Sequence, residues 1–404
     1  MRTKLMFARV VFLPALLAIG SVSAQAQIPP GYRAVPISSG EYWDLNARLN
    51  NQGQIVFERW NTARRLFEAW FWEDGLLSPL AVDDTDNRLP DINDDGVIVW
   101  SRAIGPPGPW GPTYEIVILR EGQLTRLTDD GWDDYGPRIN NLGHITWYKV
   151  TTFVENPYTS EIMFFDGTTM RQITNDTPVP RSSQSPAINE FDQIVWTRYD
   201  DSQPVWQAAI MMYDSGVITQ ISPDWALQQN VELNNLCQVV WEISTGGGQR
   251  GIRAWEAGTT ILLTDWGGWP HINDAGDIVF YRWYPVELSY QAWLYRSGQY
   301  HQITFDHEND NLPTDINEFG EFVYTSGTPG HKGVIYVARL APGDLDADGD
   351  VDLGDFTIFQ LCFGGSAAPP AATCPLGMNA DLDGDGDVDL ADFVIFQQNF
   401  TGSR

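Results

Sequence analysis

The chain has 404 residues, 43% of them hydrophobic and 13% aromatic with 17 Trp; that excludes a largely disordered polymer and allows a large core plus a second small module. Its formal net charge is −29, so phosphate backbones and anionic membrane surfaces would repel it, and neither is expected as a partner. The charge is uneven: from Ala341 to Arg404 twelve Asp stand against one Arg, a local balance of −11.

Arg2, Lys4 and Arg9 precede an apolar run from Val10 to Ile19 and then Ala24-Gln25-Ala26. This order predicts a secretory signal peptide over residues 1–26, and hence a secreted or cell-surface protein. The run is too short to span a bilayer, and no later stretch is long and apolar enough to do so.

From Leu49 onward one phrase recurs: Ile/Leu-Asn-x-x-Gly-x-Ile/Val-Val-aromatic. Its Asn is Asn50, Asn93, Asn140, Asn189, Asn234, Asn273 and Asn317, at steps of 43, 47, 49, 45, 39 and 44 residues. The closing aromatics are Phe57, Trp100, Trp147, Trp196, Trp241, Phe280 and Tyr324. A period in this range, built of short strand-like runs, predicts a β-propeller over residues 32–340.

After each phrase comes a strand-like run before a Gly turn, as in Ala69-Trp70-Phe71-Trp72 before Asp74-Gly75. A second run follows and ends in Leu/Ile-Thr/Ser, as at Leu127-Thr128, Ile173-Thr174, Ile221-Ser222, Leu263-Thr264 and Ile303-Thr304. The x-Gly pairs fit hairpin turns, because Gly accepts positive φ without a Cβ clash. Asn-x-x-Gly fits a type I turn closed by a left-handed Gly; Asp192 and Cys237 stand where that Gly should be, and at Cys237 the turn must either relax or be strained. Consecutive apolar positions such as Ile194-Val195-Trp196 predict strands covered on both faces, so the motif aromatics are expected between blades, not on a ligand platform. Trp110, in a Gly- and Pro-rich loop, is a fairer ligand candidate.

The seventh repeat lacks its last run, which occurs instead at the other end as Ala34-Val35-Pro36-Ile37-Ser38. The N-terminal strand is therefore expected to complete the last blade and close a seven-bladed ring, removing open sheet edges. The unit Leu127-Thr128-Asp129-Asp130 through Pro137-Arg138-Ile139-Asn140 resembles the repeats of TolB-like propellers. That resemblance covers Tyr32 to about Leu340, implies a ring of blades, and brings no catalytic residues with it.

Residues 341–404 read differently. Two twelve-residue loops lie 37 residues apart, each leading into an apolar run. Their Asp residues are Asp344, Asp346, Asp348, Asp350, Asp352 and Asp355 in the first, and Asp381, Asp383, Asp385, Asp387, Asp389 and Asp392 in the second. Oxygen ligands at positions 1, 3, 5, 9 and 12, Gly at 6 and an apolar residue at 8 form the EF-hand loop pattern, so two Ca2+ ions are expected. Carboxylates packed this closely repel one another until a hard cation neutralises them.

Asp at position 12, and one helix after each loop with none before it, resemble a type I dockerin module. The resemblance implies docking onto a cohesin-like partner within an extracellular, polysaccharide-degrading assembly. Positions 10 and 11 depart from the Ser/Thr pairs of many dockerins: they are Leu353-Gly354 and Leu390-Ala391. Cys362 and Cys374 are candidates for a disulfide, and Cys237, within a repeat, for a small core residue.

The sequence thus predicts an all-β, seven-bladed propeller closed by its N-terminal strand, followed by a small α-helical calcium module. The five His (His144, His271, His301, His307 and His331) show no metal spacing, and there is no G-x-S-x-G elbow. The loop carboxylates Asp129, Asp130, Asp133 and Asp134 are as well explained by solvation as by acid–base work. Non-catalytic binding of carbohydrate or protein is therefore favoured. The alternative is a glycoside hydrolase or lyase acting on polysaccharide from the propeller channel.

Overall fold

The computed structural model describes residues 32–81, 83–108, 111–152, 159–175, 181–200, 207–246, 249–306, 308–328, 332–340, 342–345, 351–375, 380–383, 386–400 and 402. The signal-peptide residues and Trp110 lie outside these. The described chain is a β-propeller followed by two short helices, α1 (Leu353–Cys362) and α2 (Leu390–Asn399).

The unit of the propeller is an antiparallel meander whose strands stand in chain order; the first contains Trp43–Leu49, Ile55–Asn61, Leu66–Glu73 and Leu76–Pro79. Single parallel bridges, Trp43 with Gly333 and Ser160 with Ser182, merge four of these meanders into two eight-stranded sheets beside three of four strands. The N-terminal strand Tyr32–Pro36 pairs antiparallel with Gly333–Leu340, from Tyr32 opposite Leu340 to Pro36 opposite Tyr336.

Each line of the repeated phrase has a physical task. The motif Asn folds its side chain back onto its own turn: the Asn50 carboxamide oxygen accepts N–H bonds from Gln52 and Gln54. Its Nδ2 then donates to the backbone oxygen of the next motif Asn, Asn50 to Asn93 at 2.9 Å and Asn93 to Asn140 at 3.0 Å. The series continues through Asn189, Asn234, Asn273 and Asn317, and Asn317 donates back to Asn50 at 3.3 Å. These buried amides satisfy one another in a closed circuit, which explains why every copy keeps Asn.

The Leu/Ile-Thr/Ser ending has an equally specific use. The hydroxyls of Thr128, Thr174, Ser222 and Thr304 accept the backbone N–H of Ile116, Ile162, Ile210 and Ala292 on the preceding strand. Ser38 does the same for Ile335, tying the N-terminal segment to Gly333–Leu340.

The consecutive apolar positions divide between two interfaces. Ile194 and Trp196 pack with Ile162 and Phe164 of the preceding meander, while Val195 packs with Val239 and Trp241 of the following one. Four motif Trp are fully buried, and each indole N–H meets an acceptor 13 residues upstream: Asn87, Asp134, Ser183 and Gln228.

Asp134 therefore corrects the sequence expectation of a solvated loop carboxylate: it is buried against Trp147. Cys237 adopts φ +59° with both hydrogen bonds of its turn intact, so the turn there does not relax. The thiol is half-buried at the edge of an apolar cluster.

Candidate functional site

Two places gather polar chemistry: the propeller channel and the tail loops. The channel is lined by the first strand of each meander, and in each of these a bulge interrupts the ladder shortly before the motif Asn. Four residues before that Asn the backbone is left-handed at Asn46, Leu89, Gly136, Ser185, Asn230 and Trp269. Bulky residues take this conformation at a cost, and such strain concentrates at sites of use. The bulges are braced from neighbouring strands: Glu58 accepts the Leu89 N–H, Ser101 that of Gly136, and Glu242 that of Trp269. Burial pushes the Glu58 carboxyl up to about 7, although the Leu89 bond works against that shift.

Past the bulge, the residue two before the motif Asn is Arg48, Asp91, Arg138, Glu232, His271 or Asp315, with Ala187 in the remaining copy. These side chains meet across the axis at a waist. Glu232 binds Arg138 and lies 3.4 Å from both Arg48 and His271 Nδ1. Arg48 reaches Asp315 at 3.4 Å, and Asp315 also accepts the Leu49 N–H. Burial opposes ionisation of Glu232, but Arg138 and Arg48 outweigh it and hold the carboxyl below the ordinary range. Burial lowers the pKa of His271, which favours a neutral imidazole, while it raises that of Asp91 against the pull of Arg138 and Arg48.

On one side of the waist the channel widens into a cavity of ≈ 260 Å³ lined by Arg48, Arg138, Glu232 and His271, the bulge residues and Tyr148. Trp269 stands in that lining with 37% of its surface exposed and its ring edge against Tyr281. Of these residues only His271 is weighed from the sequence, as a histidine without metal spacing. The register position two before each motif Asn was the available signal, and the bulge is what turns it toward the axis.

In the tail, the described loop residues are Asp344, Asp352, Asp355, Asp381, Asp383, Asp387, Asp389 and Asp392; Asp346, Asp348, Asp350 and Asp385 lie outside the described residues. Carboxylate oxygens of Asp381, Asp383 and Asp392 come within 4.8 Å of one another, as do those of Asp387, Asp389 and Asp392. Gly386, at φ +93°, gives its N–H to Asp381, wrapping the loop around its first ligand position. This hard, all-oxygen donor set fits a divalent cation of the calcium type.

The two halves of the tail are built alike. Asp352 and Asp389 cap α1 and α2, with Asp355 and Asp392 completing reciprocal capping boxes. The chain after α1 returns to the second loop through Gly364 and Gly365 to the Val388 oxygen, and after α2 Gly402 returns to Val351. Val351, Phe359, Val388 and Phe396 form the small core between them, and Cys362 and Cys374 are joined by a disulfide. The carboxylate of Asp387, at position 7 of the second loop, accepts the Ala367 N–H of the linker.

No protein-family model and no curated protein matches the sequence. Solved structures do. The chain is similar to the β-propeller domain of the Trilobed protease from Pyrococcus furiosus, with TM-score 0.53 and 12% identity over 74% of this chain and 93% of that one. It is similar to an oligogalacturonate lyase from Vibrio parahaemolyticus, with TM-score 0.56 and 10% identity over 78% and 96%. It is also similar to the acylaminoacyl peptidase of Pyrococcus horikoshii, with TM-score 0.55 and 12% identity, covering 74% of this chain but only 51% of the peptidase. At such identities the likeness shows the fold alone, a β-propeller.

Proposed function

We propose that this is a secreted, non-catalytic binding protein in which a seven-bladed propeller, closed by its N-terminal strand, takes a carbohydrate in its channel. The observation that carries the binding role is Trp269, a large ring held at φ +49° and exposed in the lining of the channel cavity. An exposed indole in a cavity that Asn46 and Asn230 also line suits a sugar, whose C–H face stacks while its hydroxyls take hydrogen bonds. The circuit of seven Asn amides and the pairing of Tyr32–Pro36 with Gly333–Leu340 support the closed ring.

The tail, in this reading, is a dockerin-like module ordered by two Ca2+ ions. Asp344, Asp352 and Asp355 with Asp346, Asp348 and Asp350, and Asp381, Asp383, Asp385, Asp387, Asp389 and Asp392, would hold them. The partner side is a cohesin-like surface protein, which would place the propeller on a polysaccharide-degrading assembly.

A glycan-array screen with calcium present, repeated on Trp269→Ala, tests the channel. Binding of a defined glycan that Trp269→Ala loses is expected; no glycan bound, or full binding by the variant, sinks the carbohydrate reading. A second reading, a glycoside hydrolase or lyase, draws on neutral His271 beside Arg48 and Glu232 at the waist. Turnover of a bound glycan, abolished by His271→Ala, would put it first.

A further inference from the structure

The far end of the channel, beyond the Asn circuit, carries an apolar crown that the fold does not need. Two residues after the motif Asn, each turn directs a side chain outward. Leu142, Phe191 and Leu236 occupy this position in three successive turns, exposed by 59%, 69% and 63%, and Phe319 does so in another at 66%. Gln52 and Asp95 fill the same place in sister turns with the same backbone bonds, so turn geometry does not call for a large apolar group. Exposed large apolar side chains grouped on one face mark an interaction surface.

Inside the crown lies a ring of carboxylates. Asp94, Glu190, Asp274 and Glu318 each follow a motif Asn and each accept the backbone N–H of the turn before. The amides of Asn51, Asn141 and Asn235 complete the circle. The lining of this mouth, about 180 Å³, contains no Lys, Arg or His. Further out, Arg296 and Arg339 are already paired with Asp277 and Glu321. Acidic groups fixed by backbone bonds line the opening; burial raises the carboxyls of Glu190 and, to about 7, Glu318, so an entering cation would favour their ionised form, and their oxygens keep acceptor capacity for one more donor.

We propose that this mouth docks a segment of a partner protein that inserts one Lys or Arg side chain into the carboxylate ring while flanking apolar residues cover Leu142, Phe191, Leu236 and Phe319. Charge complementarity selects the cation, and the crown selects the apolar flanks; an anionic membrane would be repelled by the same ring. The surface lies at the opposite end of the channel from Trp269, so this inference stands independently of the carbohydrate reading.

The test is fluorescence anisotropy on the full chain with calcium present. The probe is a labelled short peptide with one central lysine between leucine and phenylalanine residues. Two control peptides replace the lysine by glutamate, or the apolar residues by serine. The lysine peptide should bind and both controls should not. The double variant Glu190→Gln/Glu318→Gln, which keeps an acceptor oxygen for each turn, should weaken binding at least ~10-fold, and so should Phe191→Ser/Leu236→Ser. Unchanged melting temperatures will show that both variants fold, since all four positions are on turns. The proposal is overturned if the lysine peptide does not bind, if the glutamate peptide binds equally, or if neither variant loses affinity. It is also overturned if millimolar Mg2+ alone displaces the peptide at constant ionic strength, which would make the ring a metal site only.

Discussion

The propeller and the tail solve the problem of cohesion differently. In the propeller, fully buried aromatics such as Trp100, Trp147, Trp196 and Trp241 fill the interfaces, and the indole N–H of each of these four meets an acceptor within the protein. The tail has a core of only a few side chains around Phe359 and Phe396, one disulfide, and many carboxylates that repel one another. A large core leaves the repeated residues committed to structure, so they say little about ligands. A small core leaves its residues to be ligands, and there the sequence speaks chemistry.

The sharpest way to break this contrast is chelation. Removing calcium from the full chain should abolish the helical signal of α1 and α2 and leave the propeller untouched. All 17 Trp precede the tail, so indole fluorescence reports the propeller alone while far-ultraviolet dichroism reports the helices. Helices that survive chelation would mean that the tail is held like the propeller, by its core, and that the calcium assignment is wrong.

Next in size is the closure. Removing residues 32–38 uncovers the edge of Gly333–Leu340, takes away the Tyr32 bond to Gly320 and leaves Ile335 without its Ser38 acceptor. The melting temperature of the indole signal should fall by roughly 5 °C or more. A neutral result would show that the ring does not depend on that strand.

The smallest effect is a pH dependence confined to the propeller. Burial pushes the Asp134 carboxyl up to about 7, against hydrogen bonding from Trp147 and attraction to Lys149. Its folded pKa thus stands above the unfolded value, so its contribution to stability is full below about pH 4 and is lost as pH rises through about 7. Asp134→Asn keeps the oxygen that Trp147 needs, as Asn87 does for Trp100. The variant should gain ~2 kcal/mol over the parent at pH 8 and nothing at pH 4, read from urea midpoints. A constant difference at both pH values would rule out Asp134 as the titrating group.

How much was legible follows the same divide. The β-propeller class, the inter-blade place of the aromatics and the strand given by the N-terminus to the last meander all follow from period and phrase. The waist was not legible, because each inner strand carries a bulge between the alternating pattern and the motif Asn. Arg48, Arg138 and Glu232 therefore read as ordinary strand residues until the extra residue turns them toward the axis. Asp134 was misread for a related reason: its partner Trp147 is on the next strand, 13 residues away, and nothing local announces the pairing. Cys237 was read as a choice between relaxation and strain, and its φ of +59° decides for strain.

Tyr32 sits opposite Leu340 as a Cα partner, so the propeller begins and finishes at the same spot. Covalent order is then nearly arbitrary for such a body: the same wheel could be cut at an outer hairpin such as Asp74-Gly75 and spliced at its old ends by a few residues. Equally, it could be threaded into a surface loop of an unrelated host as a self-contained bead, occupying no more of that loop than two adjacent strands.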